Sequence, residues 1–303
     1  MSFTVDLIGD LQQIFHYTFM QNAYEGGTLV AIVAGIVGYF VILRRSSFAA
    51  HSLSHIGFAG AAGAAVLGVN PVYGLLLFST VGGTSMAVLS PRAANRDVSI
   101  GLVLAFLLGT GALFLTLYVG SNAELAYSIL FGEILAISNN WTQPLSCSGL
   151  CGVQLTTMAS AVLLTAVAVV YRPLLFASLD EEVAEAKGLP TAKLGIIFML
   201  MIAVATSIAV QVVGVLLIFS LMVTPAAIAQ QLAKTPVKAL IISVAVALIA
   251  TWLGLFIAFF TLYPVSFYIT TIVFVLYLVV RFGKQALGYR RPYQEAPQGT
   301  SAI

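Results

Sequence analysis

Hydrophobic positions along this chain come in blocks, not in alternation. Apolar runs at 27–43, 53–69, 72–90, 98–120, 152–171, 193–210, 212–230, 239–260 and 264–281 are separated by short polar punctuation. Each run approaches the ~20 residues needed to cross a bilayer as a helix, and a spanning segment in lipid must satisfy its backbone internally. The pattern therefore predicts an all-α integral membrane protein, a polytopic bundle of about eight or nine crossings, nine on this count. The segment ELAYSILFGEILAIS at 124–138 is apolar but short and carries Glu124 and Glu133. It predicts a re-entrant or interfacial helix, with Glu133 a candidate for lining an ion entry path. Upstream, Leu7, Leu11, Ile14, Phe15 and Phe19 recur at helical spacing without Lys or Arg, which predicts an interfacial segment over residues 1–26. This stretch lacks the basic start of a signal peptide. Residues 27–283 form the membrane domain on this reading, and the Pro-, Gly- and Gln-containing tail 284–303 is expected to be disordered.

Composition excludes the soluble alternatives. With 60% hydrophobic and 8% charged residues among 303, too little polar surface exists to solvate a globule. The net charge of +2 says little, and no basic stripe points to nucleic acid. The distribution of charge says more. With nine crossings, all 13 Lys and Arg, from Arg44 and Arg45 through Lys187 and Lys234 to Arg290 and Arg291, fall on one side. The bias of short cytoplasmic loops toward Lys and Arg then places the N-terminus outside and the C-terminus in the cytoplasm. No G-x-x-x-x-G-K-[ST] phosphate loop occurs, so ATP is not bound in that manner by this chain.

Only three histidines are present, yet His51 and His55 stand four apart in RRSSFAAHSLSHIGFAGAAG. Residues at that spacing share a helical face, so both imidazoles can address one site, half of a metal shell. The competing reading is packing, two histidines hydrogen-bonded to neighbouring helices. Ionisable groups at membrane depth favour a substrate path. The small residues Gly57, Gly60, Ala61 and Gly63 that follow allow another helix to approach closely, which places the pair at an interface.

A second constellation is SLDEEVAEAKGLP at 178–190. Ser178 with Glu181 has capping-box spacing, acids crowd the first turn, Gly188 suits a left-handed stop and Pro190 blocks continuation. It predicts a short helix in the loop between the fifth and sixth crossings, either a cap on the bundle or a lever for a cytoplasmic partner. Asp97 reads as the acid at the start of the fourth crossing, and His16 as a surface residue. Cys147 and Cys151 in PLSCSGLCG admit a disulfide, two free thiols or a metal site, and sequence does not choose among them.

RRSSFAAHSLSHIGFAG resembles the Arg-Arg…Asp/His-Ala-Leu-Ser-His segment of the membrane permeases of metal-ion ABC transporters, importers of zinc, manganese and iron. LDEEVAEAKGLP looks like their coupling helix, and LFGEILAIS (130–138) and QVVGVLLIFSLMVTPAAIAQQL (211–232) are similar to further segments of the family. The resemblance implies a permease, not an enzyme, that works as a homodimer with cytoplasmic ATP-binding subunits and an external metal-binding delivery protein in a bacterial inner membrane. It maps the transport ligands onto His51 and His55, with Ser52 in place of the usual Ala. It maps contact with the ATPase onto Asp180, Glu181, Glu185 and Gly188. No permanently bound cofactor is expected; the metal is cargo. His51 stands where manganese-type members carry Asp, and imidazole suits zinc whereas carboxylate suits manganese, so zinc is the first expectation with manganese and iron as alternatives. Two other classes compete. A gradient-driven transporter calls for inverted repeats or paired midplane acids, neither of which is found, and in a scaffold the histidines would be incidental.

Overall fold

The computed structural model describes residues 16–89, 96–118, 152–261 and 263–286. Nine long helices and one short one occupy them: α1 (Thr18–Leu43), α2 (Ser47–Val66), α3 (Pro71–Leu89), α4 (Arg96–Tyr118), α5 (Gly152–Leu179), α6 (Glu181–Ala186), α7 (Thr191–Val213), α8 (Val215–Leu232), α9 (Pro236–Phe259) and α10 (Val265–Ala286). The long helices correspond one to one with the nine apolar blocks. Eight are long and apolar enough to cross a membrane. The ninth, α2, carries two histidines and three serines, and packs against α3, α4 and α7 within the bundle.

Helix ends differ from the hydropathy estimate where capping overrides it. The first helix begins at Thr18, so residues 18–26 of the expected interfacial segment continue the first span. The second begins at Ser47, six residues before the predicted 53, because the α1–α2 turn is closed by backbone hydrogen bonds and not by a change in hydropathy. There the Arg45 amide donates to the Ile42 carbonyl (3.1 Å) and the Ser46 amide to Val41 (2.8 Å), with Arg45 at φ 53°. This is a Schellman stop with arginine in the left-handed position that glycine ordinarily fills. At the other end, α10 runs to Ala286, into the expected tail.

The helices that position the site are joined by minimal links. Asn70 Oδ1 accepts from the Val72 amide at 3.0 Å and Pro71 opens α3, so the α2–α3 turn is tight. A single residue, Gly214 at φ 82° and ψ 165°, separates α7 from α8. That backbone region is open essentially only to glycine. Close contacts then fix the packing. The Cα atoms of Gly60 and Gly74 face one another so closely that a Cβ on either would strike the other's backbone, and Gly111 meets Ala59 in the same way. Ser243 Oγ donates to the Gly35 carbonyl at 2.8 Å, tying α9 to α1.

Arg281 and Lys284 of α10 lie beside the end of α1 that precedes Arg44. The ends of α1, α8 and α10 line a common cavity, Phe40 of α1 stacks edge-on with Tyr171 of α5 at 5.9 Å, and the Arg44 guanidinium lies 5.0 Å from the Phe198 ring of α7.

Candidate functional site

His51 and His55 occupy the second and third turns of α2, and the helix brings their rings together edge to face with centroids 4.7 Å apart. Phe219 of α8 closes the other side of His51, 4.9 Å away and also edge-on. Both histidines are half-buried. His51 Nδ1 is fully buried and has no hydrogen-bond partner. A buried imidazole nitrogen without a partner is costly unless something else is bonded to it at some stage.

The neighbouring hydroxyls do not turn toward the pair. Ser52 Oγ donates to the Phe48 carbonyl (2.8 Å) and Ser54 Oγ to Ala50 (3.0 Å), each satisfied on its own helix. Gly57 and Gly60 contact α3, and Gly63 faces Phe114 of α4. At 100° per residue, Gly57 and Gly60 lie on the side of α2 opposite His51 and His55. The interface formed by these glycines is thus internal to the chain, and the histidine face is left half open. Sequence reading placed glycines and histidines at one interface; the helix separates them. Phe219 was not foreseen, since an aromatic residue in an apolar run carries no signal of which helix it will meet.

Among the described residues no three His, Cys, Asp or Glu side chains gather as a metal cluster. Among the described residues the two imidazoles that meet here amount to half of a four-donor shell. Glu133, Cys147 and Cys151 lie outside the described residues. Asp97 stands exposed in the first turn of α4, and His16 is exposed near the start of α1.

The short helix α6 is capped differently from the sequence expectation. Asp180 is the N-cap, its carboxylate accepting from the Val183 amide at 3.0 Å, whereas Ser178 Oγ turns back to Leu174 within α5. The capping box of Ser178 and Glu181 does not form because α5 continues through Leu179 and keeps the serine as a helical residue. The stop is as expected: Gly188 at φ 81° donates to Glu185 (2.8 Å) and Leu189 to Ala184 (3.1 Å). Ala184 is fully buried against Ala177 and Leu194, while Glu181, Glu182, Val183 and Glu185 are exposed. Lys187 Nζ rests 5.3 Å from the Phe176 ring. One buried side chain anchors α6, and the remaining surface is presented outward.

Comparison with known proteins matches this architecture over nearly its full length. The manganese transport system membrane protein MntC of Listeria monocytogenes is 27% identical over 252 residues, 82% of this chain and 85% of that protein. The manganese import system permease protein ScaB of Streptococcus parasanguinis is 29% identical over 255 residues, 84% and 85% of the two chains. Among solved structures, PsaBC from Streptococcus pneumoniae in complex with Fab superposes with a TM-score of 0.75 at 26% identity, covering 90% of this chain and 95% of that one. The sequence pattern of the ABC 3 transport family spans residues 16–284. With the helices, their order and the family pattern in agreement, this chain belongs to the ABC 3 transport family, as the membrane permease of a metal-ion ABC transporter.

Proposed function

We propose that this permease moves a divalent transition-metal ion, zinc first, inward across a bacterial inner membrane, with His51 and His55 as the transport ligands. The observation that carries the reading is the imidazole pair on the half-open face of α2, with His51 Nδ1 buried and unbonded. A bare divalent ion is prohibitively costly in low dielectric, so ligands must replace part of its water shell on the way through. Capture must also reverse for turnover, which favours two or three protein ligands at a time with water completing the shell.

A second copy of the chain, related by a two-fold axis, would bring another imidazole pair to the same axis, giving up to four nitrogen donors for a tetrahedral ion. An external binding protein delivers the ion, and separate cytoplasmic subunits bind and hydrolyse ATP; docking on α6 through Asp180, Glu181, Glu185 and the Gly188 stop transmits their movement. The N-terminus lies outside and the C-terminus inside. The manganese reading has its own support: relatives from Listeria and Streptococcus are named for manganese. Imidazole in place of carboxylate at position 51 supports zinc, following the general order of affinities for nitrogen donors.

The test is metal uptake into proteoliposomes holding the permease, its ATPase and its delivery protein. His51→Ala and His55→Ala are each expected to abolish zinc uptake while ATPase association is unchanged, and His51→Asp to shift preference toward manganese. Zinc import at the wild-type rate by the double alanine variant would return the histidines to a packing role. Manganese preferred by the wild type would replace zinc with the second reading.

A further inference from the structure

A cavity of about 410 Å³ opens between the ends of α1, α8 and α10. Ile42 and Ala227 supply apolar wall; Gln230, Gln231, Arg281, Lys284 and Gln285 supply the rest. Two cations and three carboxamides thus surround one space, and among the described residues no carboxylate lines it. Such a wall is complementary to an anion: the guanidinium and ammonium provide charge-assisted donors, and the amides add neutral ones. The shared chemistry is that of a phosphate group, free or esterified.

Two features select the esterified source. The cleft lies toward the helix ends, and basic pockets between membrane helices on the cytoplasmic side are suited to acidic lipid headgroups. It is also continuous with an apolar track. On α10, Phe274, Leu278, Arg281 and Gln285 fall at i, i+4, i+7 and i+11, one line along the helix. Phe274 is exposed, as are Val275, Val279 and Phe282 beside it. A molecule with its phosphate between Arg281 and Lys284 can lay its acyl chains along that track, whereas a free anion would use the cleft alone.

We propose that this cleft is a binding site for an anionic phospholipid of the cytoplasmic leaflet, held through its phosphate by Arg281 and Lys284 and through its chains by the exposed face of α10. The leaflet, though not the binding, rests on the orientation given above. The measurement is native mass spectrometry of the full-length permease in detergent, titrated with phosphatidylglycerol and with phosphatidylcholine. Phosphatidylglycerol is expected to bind more tightly, and Arg281→Gln with Lys284→Gln to weaken it by about fivefold for each cation removed, with phosphatidylcholine unaffected. Arg281→Lys keeps the charge and is expected to bind close to wild type, which separates loss of charge from loss of fold. Equal binding of the two lipids, wild-type affinity in the double Gln variant, or equal loss in Arg281→Lys would each overturn the proposal. Displacement of the lipid by an equal concentration of inorganic phosphate would assign the cleft to a free anion instead. Because detergent has no sides, a reversed topology would leave these outcomes unchanged.

Discussion

Two residues in left-handed or glycine-only backbone set the geometry around the histidines, and they should respond to substitution with opposite signs. Arg45, at φ 53°, stops α1 immediately before the helix that carries His51. A non-glycine residue there costs about 1–2 kcal/mol, so Arg45→Gly is expected to raise the thermal stability of the purified permease. Gly214, at φ 82° and ψ 165°, has no alternative to glycine, and Gly214→Ala is expected to lower stability by about 1–3 kcal/mol. It should also displace α8, and with it Phe219 from its place against His51, so reduced zinc uptake is expected to accompany the lower melting temperature. A melting temperature unchanged in both variants would remove strain from the account. The histidines themselves were legible as a pair from their spacing, whereas their open face was not, because only the placement of α3 and α8 decides which side of α2 is covered.

At the level of elements, α6 is the part most open to a partner. Its six residues are too few to be stable alone, and it persists because Asp180 caps one end, Gly188 closes the other and Ala184 is buried between α5 and α7. Gly188→Pro removes the amide that donates to Glu185 and cannot adopt φ 81°, so the Schellman stop is lost. Glu185→Lys leaves the stop intact and reverses one exposed charge. Both are expected to abolish uptake and copurification of the ATPase while membrane insertion stays at the wild-type level. Wild-type uptake and association in both variants would reduce α6 to a cap on the bundle. The stop of this helix was readable from Gly188 and Pro190 at fixed offsets. Its N-cap was misplaced because α5 extends farther than hydropathy alone indicates.

For the molecule as a whole, the one-sided collection of Lys and Arg predicts orientation. In a chain lacking Cys147 and Cys151, a cysteine at position 67, in the highly exposed α2–α3 turn, should react with an impermeant reagent in intact cells, and cysteines at 187 and 234 should not. External reaction at 187 or 234 would reverse the topology and with it the face on which the ATPase docks. Leaving the imidazoles half open is costly for a lone chain in lipid, which is the physical reason for expecting a second copy against this face.

The number of long helices, their order and the shared face of His51 and His55 were all set by the sequence. These follow from local rules, the apolar length a bilayer demands and the 100° step of a helix, which hold whatever the neighbours do. Folding alone revealed that Gly57 and Gly60 serve an internal contact with α3, that Phe219 meets His51, that α2 packs on α3, α4 and α7, and that Gln230, Arg281 and Lys284 line one cavity. Each of these joins residues distant in the chain through close packing, and apolar helices in lipid carry too little pattern to announce which of their neighbours they will meet.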